Sequence, residues 1–268
     1  MPTPITWVDA FSAVPFGGNP AAVCLLGDEA MSDAAMQSLA FELGIAETAY
    51  VSTTDDPHVF GLRWFSPATE IDLCGHATLA SAHALRQAGV VDGTTTLTFH
   101  TRSGPLLASF EDAGRISLDF PADVLEEVAL PPSLVGQWPE ADITYCGQTG
   151  FFTFVVLSGA AAVRDYRPDL AAIAATGAKA LLLTAAGQPG SGDDYVLRVF
   201  GPNVGIDEDP ATGSAQCSAG PYWAAVLGRQ SLSARQLSPR GAELSVRPDG
   251  DRVHIAGSAT TVLTGHLC

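Results

Sequence analysis

The chain has 268 residues, 47% of them hydrophobic and 16% charged, a composition that rules out disorder and suits one large domain or two small ones. Acidic residues outnumber basic ones 29 to 13, for a net charge of −16, a field that repels phosphate polymers and anionic bilayers and argues against nucleic acid and membrane partners. No signal peptide or span of roughly 18 apolar residues is expected, and five widely spaced cysteines (Cys24, Cys74, Cys146, Cys217 and Cys268) without a C-x-x-C suit reduced thiols in the cytoplasm.

In chain order, residues 17–27 (GGNPAAVCLLG) read as a strand and 33–44 (DAAMQSLAFELG) as an amphipathic helix. Residues 44–53 (GIAETAYVST) read as a turn into a strand. After LRWFSPATEID (62–72) comes CGHATLASAHAL (74–85), a buried helix starting at a glycine. The stretch 121–139, with Pro131, Pro132 and Ser133, has the composition of a linker. The order then recurs: strand-like 148–159, helical 168–177, strand-like 177–186, LRVFGPNVGID (197–207), and a second buried helix over 212–223 (TGSAQCSAGPYW). Residues 253–267 alternate like a strand hairpin that could return to the first half and close it.

The recurrence is an internal repeat. LRWFSPATEID and LRVFGPNVGID match without a gap at Leu62/Leu197, Arg63/Arg198, Phe65/Phe200, Pro67/Pro202, Ile71/Ile206 and Asp72/Asp207, where chance would supply about one match. Many short strands around one apolar helix argue for an α+β half-barrel, made twice. The expected division is residues 1–120, completed by 255–268, and residues 121–254. Function is expected in the cleft between the halves, where loops 74–78 and 209–214 would meet. Two helix N-termini there would offer unpaired N–H groups to a small carboxylate, with Gly75 and Gly213 allowing close approach.

The chemistry-bearing candidates cluster around those loops. His76 stands at a helix mouth whose dipole disfavours the imidazolium, so a neutral imidazole passing a proton near neutral pH is expected. His83, mid-helix, reads as structural, and no histidine pair has metal-ligand spacing. Glu47 lies in an uncharged stretch and aligns with Ala180. It is either a solvated turn residue or a general base whose pKa burial would raise. Asp209 opens DPATG, either as a turn and cap or as a group that orients His76 or binds a substrate amine. Ser214 aligns with His76 and could donate a hydrogen bond. Cys74 at a helix N-terminus could act as a base. Thr212 stands at its nearest equivalent, which argues against a two-thiol racemase. A Cys74–His76 hydrolase is disfavoured because residues i and i+2 of a helix do not face each other.

The pieces VDAFSAVPFGGNPAAV (8–23), GIAETAYV (44–51), LRWFSPATEIDLCGHATLASAHAL (62–85) and LRVFGPNVGIDEDPATGSAQCSAG (197–220) resemble the PhzF-like phenazine-biosynthesis isomerase family, within the diaminopimelate-epimerase-like superfamily. The C-terminal GDRVHIAGSATTVLTGHL (250–267) is also similar. The resemblance implies two pseudosymmetric domains, each a strand barrel around a central helix, a homodimer, and no cofactor. The family's best-known member isomerises 2,3-dihydro-3-hydroxyanthranilate, a glutamate moving a proton between ring carbons. The resemblance carries catalytic roles onto Glu47, His76 and Asp209, and substrate binding onto Asn19, Ser66, Gly75, Ala77, Gly213 and Ser214. Two departures stand out: Thr212 lies near where related epimerases carry a second thiol, and SPRGAELSV near residue 240 replaces a longer Gln-Gly loop. The reading is a cofactor-independent isomerase that moves a proton on a small anionic, carboxylate-bearing substrate. The alternatives are an epimerase, racemase or dehydratase using Cys74 as base, and a non-catalytic binding protein.

Overall fold

A computed structural model describes residues 3–27 and 30–267, so the reduced-thiol reading of Cys268 lies outside the described residues. Contacts divide the chain into two compact units, residues 1–120 with 255–268, and residues 121–254. Among the described residues no helix is long and apolar enough to cross a membrane.

In the first unit, β1 (Pro4–Ala10) runs antiparallel to β2 (Asn19–Gly27), and α1 (Asp33–Leu43) crosses over to β3 (Glu47–Thr53), parallel to β2. Ser32 caps α1 by accepting the Ala35 N–H, and Gly44 ends it at φ 61°, where its N–H meets the Ala40 carbonyl at 3.2 Å. That left-handed turn lets the chain enter β3 within three residues. β4 (Val59–Phe65) is antiparallel to β3, and the short β5 (Glu70–Ile71) folds back on it. A second crossover, α2 (Gly75–Gln87), leads to β6 (Leu97–Thr101), parallel to β4. β7 (Gly104–Phe110) and β8 (Ile116–Pro121) continue as a meander. Strand Ala259–His266 pairs antiparallel with the outer side of β1.

The sheet curls around α2. Nine of its residues are buried, from His76 to Leu85, and they meet β1, β2, β3, β7 and strand Ala259–His266. Ala77, Ala80, Ala82 and Ala84 keep the helix thin enough for strands to close on several sides, while Leu79 and Leu85 fill the remaining space. Each buried leucine contributes on the order of 1.5–3 kcal/mol. α1 lies on the opposite sheet face, where Met36 and Ala40 pack with Cys24, Tyr50 and Phe65, and Tyr50 donates its hydroxyl to the Met36 carbonyl at 2.6 Å.

The second unit repeats these pairings strand for strand. β9 (Glu126–Glu127) flanks β10 (Ile143–Gln148), which is antiparallel to β11 (Phe152–Leu157). Two short helices, α3 (Ala160–Asp165) and α4 (Leu170–Ala174), cross to β12 (Ala180–Ala186), parallel to β11. β13 (Tyr195–Gly201) is antiparallel to β12, and β14 (Ile206–Asp209) folds back on β13. α5 (Gln216–Leu227) crosses to β15 (Leu232–Gln236), parallel to β13, and β16 (Ala242–Asp249) pairs antiparallel with β15. β17 (Arg252–Gly257) precedes β18 (Ala259–His266), the strand that pairs with β1.

Four local expectations change. The helix expected over 168–177 shrinks to α4, because Pro168 and the Asp169 cap start it late, and α3 precedes it. Residues 121–139 are not a linker: Leu134 and Trp138 are buried in the second core with Val155, Leu181 and Phe200, and the Trp138 and Tyr166 rings lie 4.8 Å apart. The expected hairpin over 253–267 is instead two strands separated by Ser258, and β18 pairs with β1. The second buried helix begins at Gln216 rather than at Gly213, because the Gln216 and Cys217 N–H groups reach the Gly213 and Ser214 carbonyls in a tighter turn. Within α5, Pro221 removes the N–H that the Cys217 carbonyl would accept, and the Asp123 N–H takes its place at 2.9 Å.

The repeated Leu-Arg-x-Phe motif is structural. The Arg63 fork meets both Glu70 oxygens at 2.7 and 2.9 Å and also Asp33, with its guanidinium 5.1 Å from the Phe65 ring. Arg198 does the same with Glu208 at 2.8 and 2.9 Å, stacks 4.8 Å from Phe200, and donates to the Tyr166 and Arg164 carbonyls.

Candidate active site

Four chemistry-bearing side chains of the first unit converge at the mouth of α2. Asn19 opens β2, Glu47 opens β3, Cys74 is the N-cap of α2 and His76 is its second residue. Ala21 pairs with Glu47 in the parallel β2–β3 ladder, which brings Asn19 and Glu47 to the same end of the sheet. His76 Nε2 stands 3.0 Å from Glu47 Oε2, the two side chains being 7% and 19% exposed. The approach is off the line of the ring N–H, so Oε2 retains acceptor capacity. On the other side of the ring, Asn19 Nδ2 lies 3.2 Å from Nδ1. Cys74 Sγ lies 3.5 Å from Nδ1 and 3.9 Å from Nε2.

Two expectations change here. Cys74 and His76 do touch, because Cys74 is extended (φ −142°, ψ 112°) and outside the helix, where helical spacing does not apply. The balance at the imidazole also differs: burial pushes its pKa down, but Glu47, 3.0 Å from Nε2, holds it above its ordinary value. Burial raises the Cys74 thiol. Glu47, Cys74 and His76 each offer one ligand atom, all within 4.8 Å of one another, so the cluster could also hold a metal ion.

The other residues singled out from the sequence are placed as follows. Ala77 is buried and Gly75 half-buried in the first turn of α2. Thr78 N–H reaches the Cys74 carbonyl, so the N–H groups of Gly75, His76 and Ala77 precede the first helical bond. Ser66 is occupied in its own turn: its hydroxyl donates to the Thr69 carbonyl and accepts the Ala68 and Thr69 N–H groups. Asp209, Gly213 and Ser214 belong to the second unit. Gly213 is buried and Ser214 exposed, both in the tight turn before α5, so Ser214 lacks the helical position that His76 holds.

A buried clamp around Asp209 was not foreseen. The Thr212 hydroxyl donates to Asp209 Oδ2 at 2.7 Å. Gln236, fully buried, accepts the Thr212 N–H at 2.8 Å and donates to the Asp209 carbonyl at 2.6 Å. Gln216 donates to the Thr212 carbonyl and accepts the Tyr195 hydroxyl, and Ser238 donates to the Pro210 carbonyl. The available signal was a glutamine at the buried phase of a strand (Gln236) and another opening an apolar helix (Gln216).

Comparison with known proteins adds the following. The family model for phenazine biosynthesis-like proteins matches residues 8–265. The chain is 44% identical over 260 residues to an uncharacterized isomerase of Pseudomonas aeruginosa, covering 97% of this chain and 96% of that one. A crystal structure of a PhzF-family phenazine biosynthesis protein from Enterococcus faecalis superposes with a TM-score of 0.92 at 36% identity, covering 100% of both chains. A probable proline racemase from Agrobacterium radiobacter shares the fold at a TM-score of 0.65 and 11% identity, over 99% of this chain and 93% of the other.

Proposed function

The chain belongs to the phenazine biosynthesis-like family, and from that premise we propose that it is an isomerase that moves a proton on a small carboxylate-bearing substrate, with Glu47 and His76 as the proton-transfer pair. The observation that carries this reading is the 3.0 Å contact between the largely buried side chains of His76 (Nε2) and Glu47 (Oε2). His76 stands close enough to Glu47 to exchange a proton with it. Glu47 takes a proton from a substrate carbon, and the bonding electrons shift into the conjugated system of the substrate. The same proton returns to another carbon from Glu47, or His76 delivers one from Nε2. The double bond moves, and no oxidant or reductant is required. The N–H groups of Gly75 and His76 at the α2 terminus suit the substrate's anionic group and the charge that develops on it.

The family motif, rather than a distance, supports substrate-holding roles for Asp209, Gly213 and Ser214. Homodimerisation, a cytoplasmic location and independence of a cofactor belong to the same reading. A Cys74 base has less support, because burial keeps the thiol protonated.

The test is carbon-bound proton exchange in D₂O, followed by NMR with 2,3-dihydro-3-hydroxyanthranilate and a panel of small cyclic and amino carboxylic acids. Glu47→Gln is expected to bind and to lose about 10²–10⁴ in rate. A wild-type rate in that variant refutes the assignment, and activity lost only in Cys74→Ser transfers the base to Cys74.

A further inference from the structure

The His76 ring receives opposite instructions at its two nitrogens. At Nε2, Glu47 stands 3.0 Å away and favours a proton there. At Nδ1, Asn19 Nδ2 lies 3.2 Å away, a hydrogen bond only when that ring nitrogen carries a lone pair. A neutral imidazole protonated at Nε2 leaves the Nδ1 lone pair to Asn19 and keeps its N–H beside Glu47, off the direct line to Oε2. An imidazolium has donors at both nitrogens, and a donor facing a donor is costly in a buried site.

We propose that Asn19 is a positioning residue that follows the proton on His76, its amide turning Nδ2 to a neutral ring and Oδ1 to a charged one, so that exchange with Glu47 is confined to Nε2. The inference rests on the Glu47–His76 proton-transfer reading. A half-turn about the Cβ–Cγ bond exchanges a donor for an acceptor at nearly constant shape. Aspartate would serve only the charged ring, and leucine neither form.

The surroundings fix the place of Asn19 in the fold. The residue is fully buried and paired with Ala10 in the β1–β2 ladder. The loop before it is pinned where Asp9 accepts the Phe16 N–H at 2.6 Å. A methyl group at Gly18 would sit 2.0 Å from the Ala10 carbonyl oxygen. The titratable groups on the ring are Glu47 from β3 and Cys74 from the α2 entry, and β2 contributes the neutral Asn19. The repeat gives independent support. Phe152 pairs with Ala180 as Ala21 pairs with Glu47, which puts Gly150 in the place of Asn19. The amide, the carboxylate and the histidine are all replaced together in the second unit.

The experiment is a pH titration of the ligand-free, ¹⁵N-labelled protein, following the His76 ring nitrogens and the Asn19 side-chain amide by NMR. One shared midpoint is expected, with the neutral ring protonated at Nε2. Asn19→Asp should raise that midpoint by about one pH unit or more, and Asn19→Leu should lower it comparably. Asn19 amide signals that stay flat through the His76 titration, or a neutral ring protonated at Nδ1, overturn the proposal. The wild-type measurement needs neither a variant nor a substrate. The Glu47→Gln exchange assay judges the functional reading separately.

Discussion

Arg198→Met and Arg63→Met remove the same residue from the two copies of the repeat, and the structure predicts unequal costs. The Arg198 side chain is 8% exposed and its partner Glu208 17%. Its removal leaves Glu208 poorly hydrated and takes a donor from the Tyr166 and Arg164 carbonyls. Breaking a buried pair from one side costs about 3–5 kcal/mol. Arg63 is 35% exposed. Its loss leaves Glu70 the Arg102 guanidinium at 2.8 Å, and Asp33 is already 78% exposed, so about 1 kcal/mol is expected. Urea titration followed by tryptophan fluorescence at neutral pH should separate the two variants by about 2–4 kcal/mol. Arg198→Met combined with Glu208→Leu should recover most of the loss, because the unpaired charge is gone. Equal costs, or a double variant no better than the single one, would refute the reasoning.

The Arg63 hydrogen bond holds the Glu70 carboxyl below its ordinary value of 4.5, against burial. That stabilisation is present above the unfolded pKa and lost as pH falls through the folded one. The stability gap between wild type and Arg63→Met should therefore close as pH drops below the ordinary value, and a gap that persists in acid contradicts the pairing. Gln236→Leu leaves the Thr212 N–H and the Asp209 carbonyl without their buried partner. A loss of about 2–4 kcal/mol in a denaturant melt is expected, and a loss below about 0.5 would discount the clamp. Gly18 and Gly27 share φ +59°, but an added methyl meets the Ala10 oxygen at 2.0 Å at Gly18 and nothing within 4 Å at Gly27. Thermal melts should show Gly18→Ala costing at least about 2 kcal/mol more than Gly27→Ala, and equal melts would contradict the close approach. Burial pushes the Cys24 and Cys217 thiols up to about 12, so neither should react with a disulfide reagent at pH 8 until urea unfolds the chain. Rapid native labelling at either position would oppose their placement.

Much of the architecture is legible because the chain repeats. The two six-match segments lie on β4–β5 and β13–β14, and the buried helices follow from runs of alanine and other small residues. Glu47 and His76 stand out because the second copy replaces them, which directs attention to the end of the sheet where they meet. What stayed hidden depends on partners distant in sequence. Glu208 reaches Arg198 from ten residues on, whereas Glu70 reaches Arg63 from seven, so the motif shows the arginine in register but not its carboxylate. Four prolines imitate a linker over 121–139, although Leu134 and Trp138 find a core. A tight turn and a helical first turn differ by one residue in hydrogen-bond reach, and composition does not distinguish them at 213–215.

The pairing of β18 with β1 has a consequence for biosynthesis. Residues 121–254 form one uninterrupted stretch, so that unit can mature as soon as it clears the ribosome. The unit translated first must wait, because β1 receives β18 only after residues 259–266 emerge. Through most of translation β1 presents an open edge able to capture a stray strand. A circular permutant that places residues 255–268 directly ahead of β1 would make both units contiguous. It would also reverse which of them is complete first.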